Sequence, residues 1–256
     1  MNFLIQNEKE LSIEARIVKD IIDDSGLHSY TFIKKEDLNK DNKSSYPEIF
    51  EKSIPIGTIE FVDRWLQIFK GIERQYPIEI PEILRTEEFL KRSYSFKKYE
   101  DIPKSGQYFL KDISKLKEIS YSGHLEHLDF NELDKTHLYQ ISEYVNILSE
   151  YRVYIIDGKI SAISHYDGDP LLFPDTTLIK KANGLYSTQK NYPKSYTMDI
   201  MISEKGTSLV EIHPFNCVGF YTTLFGKDLL YAYRDWLNYI ESHNKKIDTV
   251  FNLGGI

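Results

Sequence analysis

Apolar and polar positions change period repeatedly along this chain, and each change marks an element. Asn2–Gln6 is a short apolar run of strand length. Residues 11–22 carry apolar side chains at helical spacing, with Ser12 as the expected N-cap, Glu14 in the first turn and Ser25-Gly26 as the stop. Residues 29–34 alternate as a second strand, and the β-α-β order implies a small parallel sheet. Residues 36–45 are polar and read as a loop. Ile54–Ile56 is a third short strand, and residues 60–71 form a helix with Phe61, Trp65, Ile68 and Phe69 on one side. The intervening Gly57-Thr58 could open a phosphate-binding helix start, or it is an ordinary tight βα turn.

Pro77 and Pro81 interrupt this pattern and place a boundary near residue 80. Beyond it, residues 82–93 predict a helix, Gln107–Asp112 a strand, residues 119–128 a loop and residues 139–145 another strand. Residues 150–156 and 159–164 form a hairpin about Asp157-Gly158. Residues 170–192 read as loop, with Pro, Gly, Asn and Asp scattered through them. Residues 226–241 are an amphipathic helix using Leu229, Leu230, Tyr233, Leu237 and Ile240, and the tail 251–256 reads as loose.

The second hairpin is the chemically informative one. Residues 197–202 and 208–213 alternate as strands about a five-residue loop, 203–207, which contains Lys205-Gly206. In that register Ile202 faces Ser208 and Asp199 faces Glu211, and His213 shares the face of Glu211 because strand side chains repeat every second residue. Two carboxylates opposite one another repel. The pattern therefore asks for a cation between them, and a divalent ion is the simplest candidate. Asp199, Glu211 and the side-chain oxygen of Asn216 are hard ligands suited to Mg²⁺ holding phosphates. A surface hairpin with two solvated acids would carry the same residues.

Composition narrows the partners. Apolar residues make up 41% and aromatics 14%, enough for a sizeable core. A net charge of −7 argues against a dedicated nucleic-acid binder, while leaving room for a local basic groove. The single cysteine, Cys217, excludes a disulfide framework and a cysteine-based zinc site, and reads as a packed thiol. The N-terminus lacks the shape of a signal peptide and no stretch has the length of a membrane span, so the expectation is a soluble cytoplasmic protein.

Further candidates lie upstream of the acidic hairpin. Lys111 closes an alternating strand and precedes a loop containing Gly123; a strand lysine is a good point charge for phosphate oxygens, or else an ordinary surface lysine. Glu143 and Glu150 lie seven residues apart, and a carboxylate can accept from ribose hydroxyls. Arg152 offers a planar fork of donors to a polyphosphate or an acyl phosphate. His124 and His127, with Glu126 between them, offer a thin metal reading beside the ordinary one of loop histidines.

Taken together, the strand lysine, hinge strand, hairpin and acidic hairpin resemble the ATP-grasp superfamily of ligases over roughly residues 94–241. The phrases EYRVYIIDGKI and VEIHPFNCVGFY look most like the phage and bacterial clade named for two arginines and a lysine. The resemblance implies an α/β (α+β) ATP-grasp fold. A Rossmann-like pre-ATP-grasp domain would occupy residues 1–80 and the ATP-grasp domain residues 81–256. The latter would divide into a phosphate-lysine and hinge half, 81–145, and a Mg²⁺-binding half, 146–256. It places Lys111 at the phosphates of ATP, Ser142, Glu143, Tyr144 and Val145 at adenine, and Glu150 at ribose. Arg152 would be one of the clade's arginines, with Arg92 as the other, and Asp199, Glu211, His213 and Asn216 would surround Mg²⁺.

The activity so implied is an ATP-dependent carboxylate–amine ligation through an acyl phosphate, releasing ADP and phosphate, with Lys111 and Arg152 catalytic. Its partners would be small-molecule or peptide carboxylates and amines. Substrate contacts would come from the N-terminal domain and the loop 167–192. Two departures stand out. His213 occupies the usual asparagine position, and imidazole is a poor ligand for Mg²⁺; Thr197 stands where many relatives carry arginine. They keep open two other readings: a nucleotide-binding or interaction module without ligase activity, and an ATP-grasp kinase.

Overall fold

The computed structural model describes residues 1–73, 78–114, 119–216, 218–221 and 226–250, with side chains through residue 243. The boundary residue Pro77, the thiol of Cys217 and the tail 251–256 lie outside the described residues.

The chain opens as its pattern predicts. β1 (Asn2–Gln6) is the central strand of a parallel sheet, flanked by β2 (Ser29–Ile33) and β3 (Ile54–Ile56). A parallel central strand is covered on both faces, which is why Phe3, Leu4 and Ile5 are all fully buried rather than alternating. α1 (Ile13–Ser25) starts at Ser12, whose Oγ accepts from the Ala15 amide at 3.1 Å, and stops at Gly26 in the left-handed region. The polar segment after β2 holds two 3₁₀ turns, Lys35–Asp37 and Lys40–Ser45, followed by α2 (Glu48–Glu51). α3 (Ile59–Lys70) is capped by Thr58 and buries Phe61, Val62, Trp65, Leu66, Ile68 and Phe69.

Gly57 is an ordinary close-packed turn. A Cβ there would collide with Gln6 Oε1, and that same oxygen accepts from the Thr58 amide at 2.7 Å. Gln6 thus occupies the helix start that a phosphate would need.

The helix expected over 82–93 is reduced to α4 (Glu87–Leu90), and β4 (Tyr94–Lys98) follows directly after that span. A 3₁₀ turn, Glu82–Leu84, precedes α4, and Lys91 at φ 51° ends it. β4 joins β5 (Gln107–Asp112), β6 (Ser120–His124) and β7 (Leu138–Glu143) in an antiparallel sheet of order β4-β7-β5-β6. The expected loop 119–128 is therefore half strand, and Gly123 belongs to β6 rather than to a loop.

A second antiparallel sheet, of order β11-β10-β8-β9, is built from β8 (Ser149–Ile156), β9 (Lys159–Gly168), β10 (Tyr196–Ser203) and β11 (Gly206–Pro214). Between β9 and β10 the expected loop holds α5 (Thr176–Ser187), capped by Asp175 and burying Leu178, Ile179, Ala182 and Tyr186. Asn183 and Gly184, poor helix formers, hide this helix from the pattern, although Asp175 is a legible cap. α6 (Asp228–Val250) runs past its expected end at residue 241.

Among the described residues the apolar interior has three centres. One joins the parallel sheet and α3 to α6, through Leu229, Leu230, Tyr233 and Trp236, and takes in Phe215 and Phe220. A second covers one face of the β8–β11 sheet with α5 and α4, and a third covers one face of the β4–β7 sheet. The opposite faces of the two antiparallel sheets border a cleft, with part of the β8–β11 face closed by the first centre through Tyr154 and Ile156. Among the described residues no helix is long and apolar enough to cross a membrane.

Candidate functional site

The β10–β11 hairpin does bring Asp199 opposite Glu211, but by a different route from the expected one. The turn is tighter: Ser203 pairs with Gly206, so Ile202 faces Thr207 and Met201 faces Ser208. That register would set Asp199 against Val210 and turn Glu211 into the core in place of Ile212. A β-bulge between Asp199 and Ile200 inserts Val210 as an extra residue and restores the Asp199–Glu211 pair. As a result Val210, Glu211 and His213 all line the cleft, while Leu209 and Ile212 lie in the core.

Arg92 clasps this bulge. Its Nη1 donates to the carbonyls of Leu209 at 2.7 Å and Leu90 at 3.1 Å, and its Nη2 donates to the Val210 carbonyl at 3.1 Å. Burial pushes its guanidinium down to about 10. The side chain expected as a second nucleotide-side arginine thus lines the cleft with its fork spent on backbone carbonyls.

The charges on the facing strands are neutralised in pairs. Arg152, opposite Asp199 on β8, donates from Nε and Nη2 to the two Asp199 carboxylate oxygens at 2.8 and 2.7 Å. Both groups are buried, and although burial works against the Arg152 charge, Asp199 raises its pKa above the usual arginine value. Glu211 is held by Lys111 across the cleft and by His213 Nε2 at 2.5 Å. Burial alone would raise the Glu211 carboxyl; His213 and Lys111 overcome it and hold the group well below the usual carboxylate range. The cation that two facing carboxylates demand is therefore supplied, in part, by the protein.

The cleft has a volume of about 560 Å³ and is walled by both sheets. Lys111, Ser142, Glu143, Val145, Glu150, Arg152, Glu211 and His213 all line it. Asp199 sits just behind Arg152, with Asp199, Glu211 and His213 each able to offer a ligand atom within 4.8 Å of the other two. Tyr144 is exposed beyond the end of β7, and Asn216 is buried after β11; neither is among the described residues lining the cleft. His124 and His127 sit at the far end of β6 and the following 3₁₀ turn, outside that lining.

Supporting contacts fix the rim. The Glu143 amide donates to the Ser93 carbonyl at 3.2 Å, and its carboxylate takes Lys205 of the hairpin turn at 2.7 Å. Glu150 accepts from Tyr166 Oη at 3.1 Å, while burial raises its pKa. Asp112, beside Lys111, is buried with His137 Nδ1 at 2.6 Å and accepts from the Ser114 amide at 2.8 Å. Two buried hydroxyls, Ser142 Oγ and Thr197 Oγ1, have no partner among the described residues.

The pattern gives no warning of one wall. Tyr166 and Tyr221 stack with ring centroids 4.8 Å apart, and the Arg152 guanidinium carbon lies 5.6 and 5.1 Å from those rings. Tyr166 is the extra residue where the β8–β9 register shifts, so period alone misplaces it. Tyr221 is tied down by its amide, which donates to Tyr154 Oη at 3.0 Å.

Comparison with known families finds a match over residues 89–227 to an ATP-grasp domain, the second family of the clade named for two arginines and a lysine. No curated protein matches the sequence. Among solved structures, D-alanine–D-alanine ligase from Bacillus anthracis complexed with ATP superposes with a TM-score of 0.51 at 16% identity, covering 96% of this chain and 97% of that one. D-cycloserine synthetase DcsG gives a TM-score of 0.51 at 8% identity, covering 95% and 99%. The ATP-grasp ligase PsnB, complexed with minimal precursor, gives 0.50 at 10% identity, covering 93% and 98%. At these identities the likeness is one of fold.

Proposed function

The chain belongs to the ATP-grasp domains, in the second family of the two-arginine, one-lysine clade, and from that premise we propose that it is an ATP-dependent ligase that joins a carboxylate to an amine through an acyl phosphate. The observation that carries the reading is the convergence of Lys111 and Arg152 on Asp199 and Glu211 beside one cleft between two sheets. Phosphoryl transfer needs positioned charge more than side-chain covalency. In this reading Lys111 and Arg152 neutralise phosphate oxygens as the γ-phosphoryl group passes to a substrate carboxylate. Ser142, Glu143 and Val145 border the base and Glu150 accepts from the ribose hydroxyls. Amine attack on the acyl phosphate then expels phosphate and leaves the new C–N bond. The division of the chain near residue 80 belongs to the same proposal, with the parallel sheet as the pre-ATP-grasp unit. Solved relatives named as D-alanine–D-alanine ligase and as a ligase bound to a precursor support small carboxylates and peptides as the substrate classes.

The fold family implies Mg²⁺. The oxygens of Asp199 and Glu211 fit a divalent cation, which would supply charge neutralisation at the phosphates; the nitrogen of His213 does not fit Mg²⁺.

The test is nucleotide turnover over a panel of amino acids and peptides. Release of ADP that depends on one acceptor is expected. Bound ATP with no ADP release over the whole panel would replace the ligase by a binding module. AMP release, or phosphate stably attached to a substrate hydroxyl, would also overturn it.

A further inference from the structure

Asp199, Glu211 and His213 share one face of the β10–β11 ladder, because the bulge at Val210 on β11 brings Glu211 and His213 onto the face of Asp199. Their ligand atoms lie within 4.8 Å of one another. Donors about a single ion with bonds near 2.1 Å stand about 3 Å apart when adjacent and about 4 Å apart when opposite. The three groups therefore need close by only about an ångström or so to share one ion. Two of them are hard carboxylates. The third is a buried imidazole whose Nε2 shares a proton with the Glu211 carboxylate and would release it to solvent on binding an ion.

That mixed set decides the ion. Mg²⁺ prefers oxygen and gives up its waters reluctantly. Imidazole suits first-row transition ions, while carboxylates and phosphates keep the site hard enough for Mn²⁺. We propose that His213 makes this a site for a first-row divalent ion of the Mn²⁺ class, in preference to Mg²⁺. The inference rests on the nucleotide-site reading above and deepens it by naming the metal class.

A site of carboxylates alone already favours Mn²⁺ somewhat, through the ordinary affinity order. The informative quantity is therefore the change in preference when the nitrogen is removed. Mn²⁺ titrated into the full chain, with the free aqua ion followed by electron paramagnetic resonance and Mg²⁺ as competitor, gives the preference directly. His213→Asn restores an all-oxygen set, and His213→Gln is a second all-oxygen variant in case the first fails to fold. The wild type is expected to favour Mn²⁺ over Mg²⁺ at least tenfold more strongly than either variant. Pulsed measurements on the wild type alone should show a directly bound ¹⁴N nucleus.

An unchanged preference in a folded variant would overturn the inference, as would bound Mn²⁺ without directly coordinated nitrogen. The latter result would leave His213 acting only through its hydrogen bond to Glu211. Failure of Mn²⁺ to bind, with or without a non-hydrolysable ATP analogue, would overturn it too. Analogue binding in chelator-treated buffer is scored separately. Its absence both there and with a divalent ion added would remove the nucleotide reading, while the metal-alone titration still judged His213.

Discussion

Arg152 and Asp199 meet fork to fork across the β8–β10 ladder, with two nitrogens 2.8 and 2.7 Å from two carboxylate oxygens. Neither group has water to fall back on, since Arg152 is 6% and Asp199 1% exposed. Removing one partner of such a pair strands a buried charge, at a cost of about 3–5 kcal/mol. Arg152→Met should therefore lower the unfolding free energy by that order in urea titrations. Arg152→Met with Asp199→Leu should recover much of the loss. A double variant as unstable as the two single losses added together would mean that the pair is not coupled.

The Arg92 clasp predicts a loss aimed at Glu211. Without the guanidinium the Leu209 and Val210 carbonyls lose their donors at the bulge, at about 1–3 kcal/mol for each buried group left unsatisfied. Arg92→Lys can reach one of them but lacks the fork to hold both. Its nucleotide affinity without metal should stay near wild type, while the gain on adding a divalent ion should fall at least tenfold. Equal metal-dependent gains in Arg92→Lys and wild type would reduce Arg92 to a packing residue.

Lys111 bridges the two sheets by its ion pair with Glu211, and it is a compact cation on the cleft wall. Replacement by Met keeps the stem and removes the charge. Nucleotide affinity should drop about tenfold or more, about 1.4 kcal/mol, in calorimetric titrations. The residual affinity should be less sensitive to added salt, because one charge contact is gone. Unaltered affinity would remove Lys111 from the phosphates. Glu211→Gln should abolish divalent-dependent ATP turnover with the fold intact, read by ADP release and circular dichroism.

The pairing of Asp199 with Glu211 shows how much is legible in the sequence and why. Alternation marks the two strands, and a five-residue loop yields the right partners. The molecule reaches them with a shorter turn and a compensating bulge, two one-residue departures that cancel. Local pattern carries no sign of a bulge, because its anchor, Arg92, lies more than a hundred residues away in the chain. Lys111 sits on its expected strand, since turn residues bound that run on one side. Its bond to Glu211 is set by how two sheets face each other, which periodicity cannot encode. β4 and α5 escape the pattern for local reasons. Tyr94–Lys98 follows a helix-like run too closely to separate from it, and Asn183-Gly184 disguise the middle of α5.

Glu150 supplies a prediction with a sign. Burial raises its carboxyl first, the Tyr166 hydrogen bond partly offsets that, and the charges of Asp199, Asp167 and Glu211 raise it further. A carboxyl whose folded pKa exceeds its unfolded value binds more protons when folded. Its contribution is fully present below the unfolded value and is lost as pH rises through the folded one. Glu150→Gln keeps an acceptor for Tyr166 and removes the charge. The variant should match wild type at acid pH and become the more stable of the two as pH rises past the raised value, measured as the difference in melting temperature across a pH series. The same change should weaken nucleotide binding at neutral pH, because the ribose hydroxyls lose a charged acceptor. Stability and affinity would then move in opposite directions at one residue. A variant less stable than wild type at neutral pH would show that the Glu150 carboxylate is held for the fold rather than for a ligand.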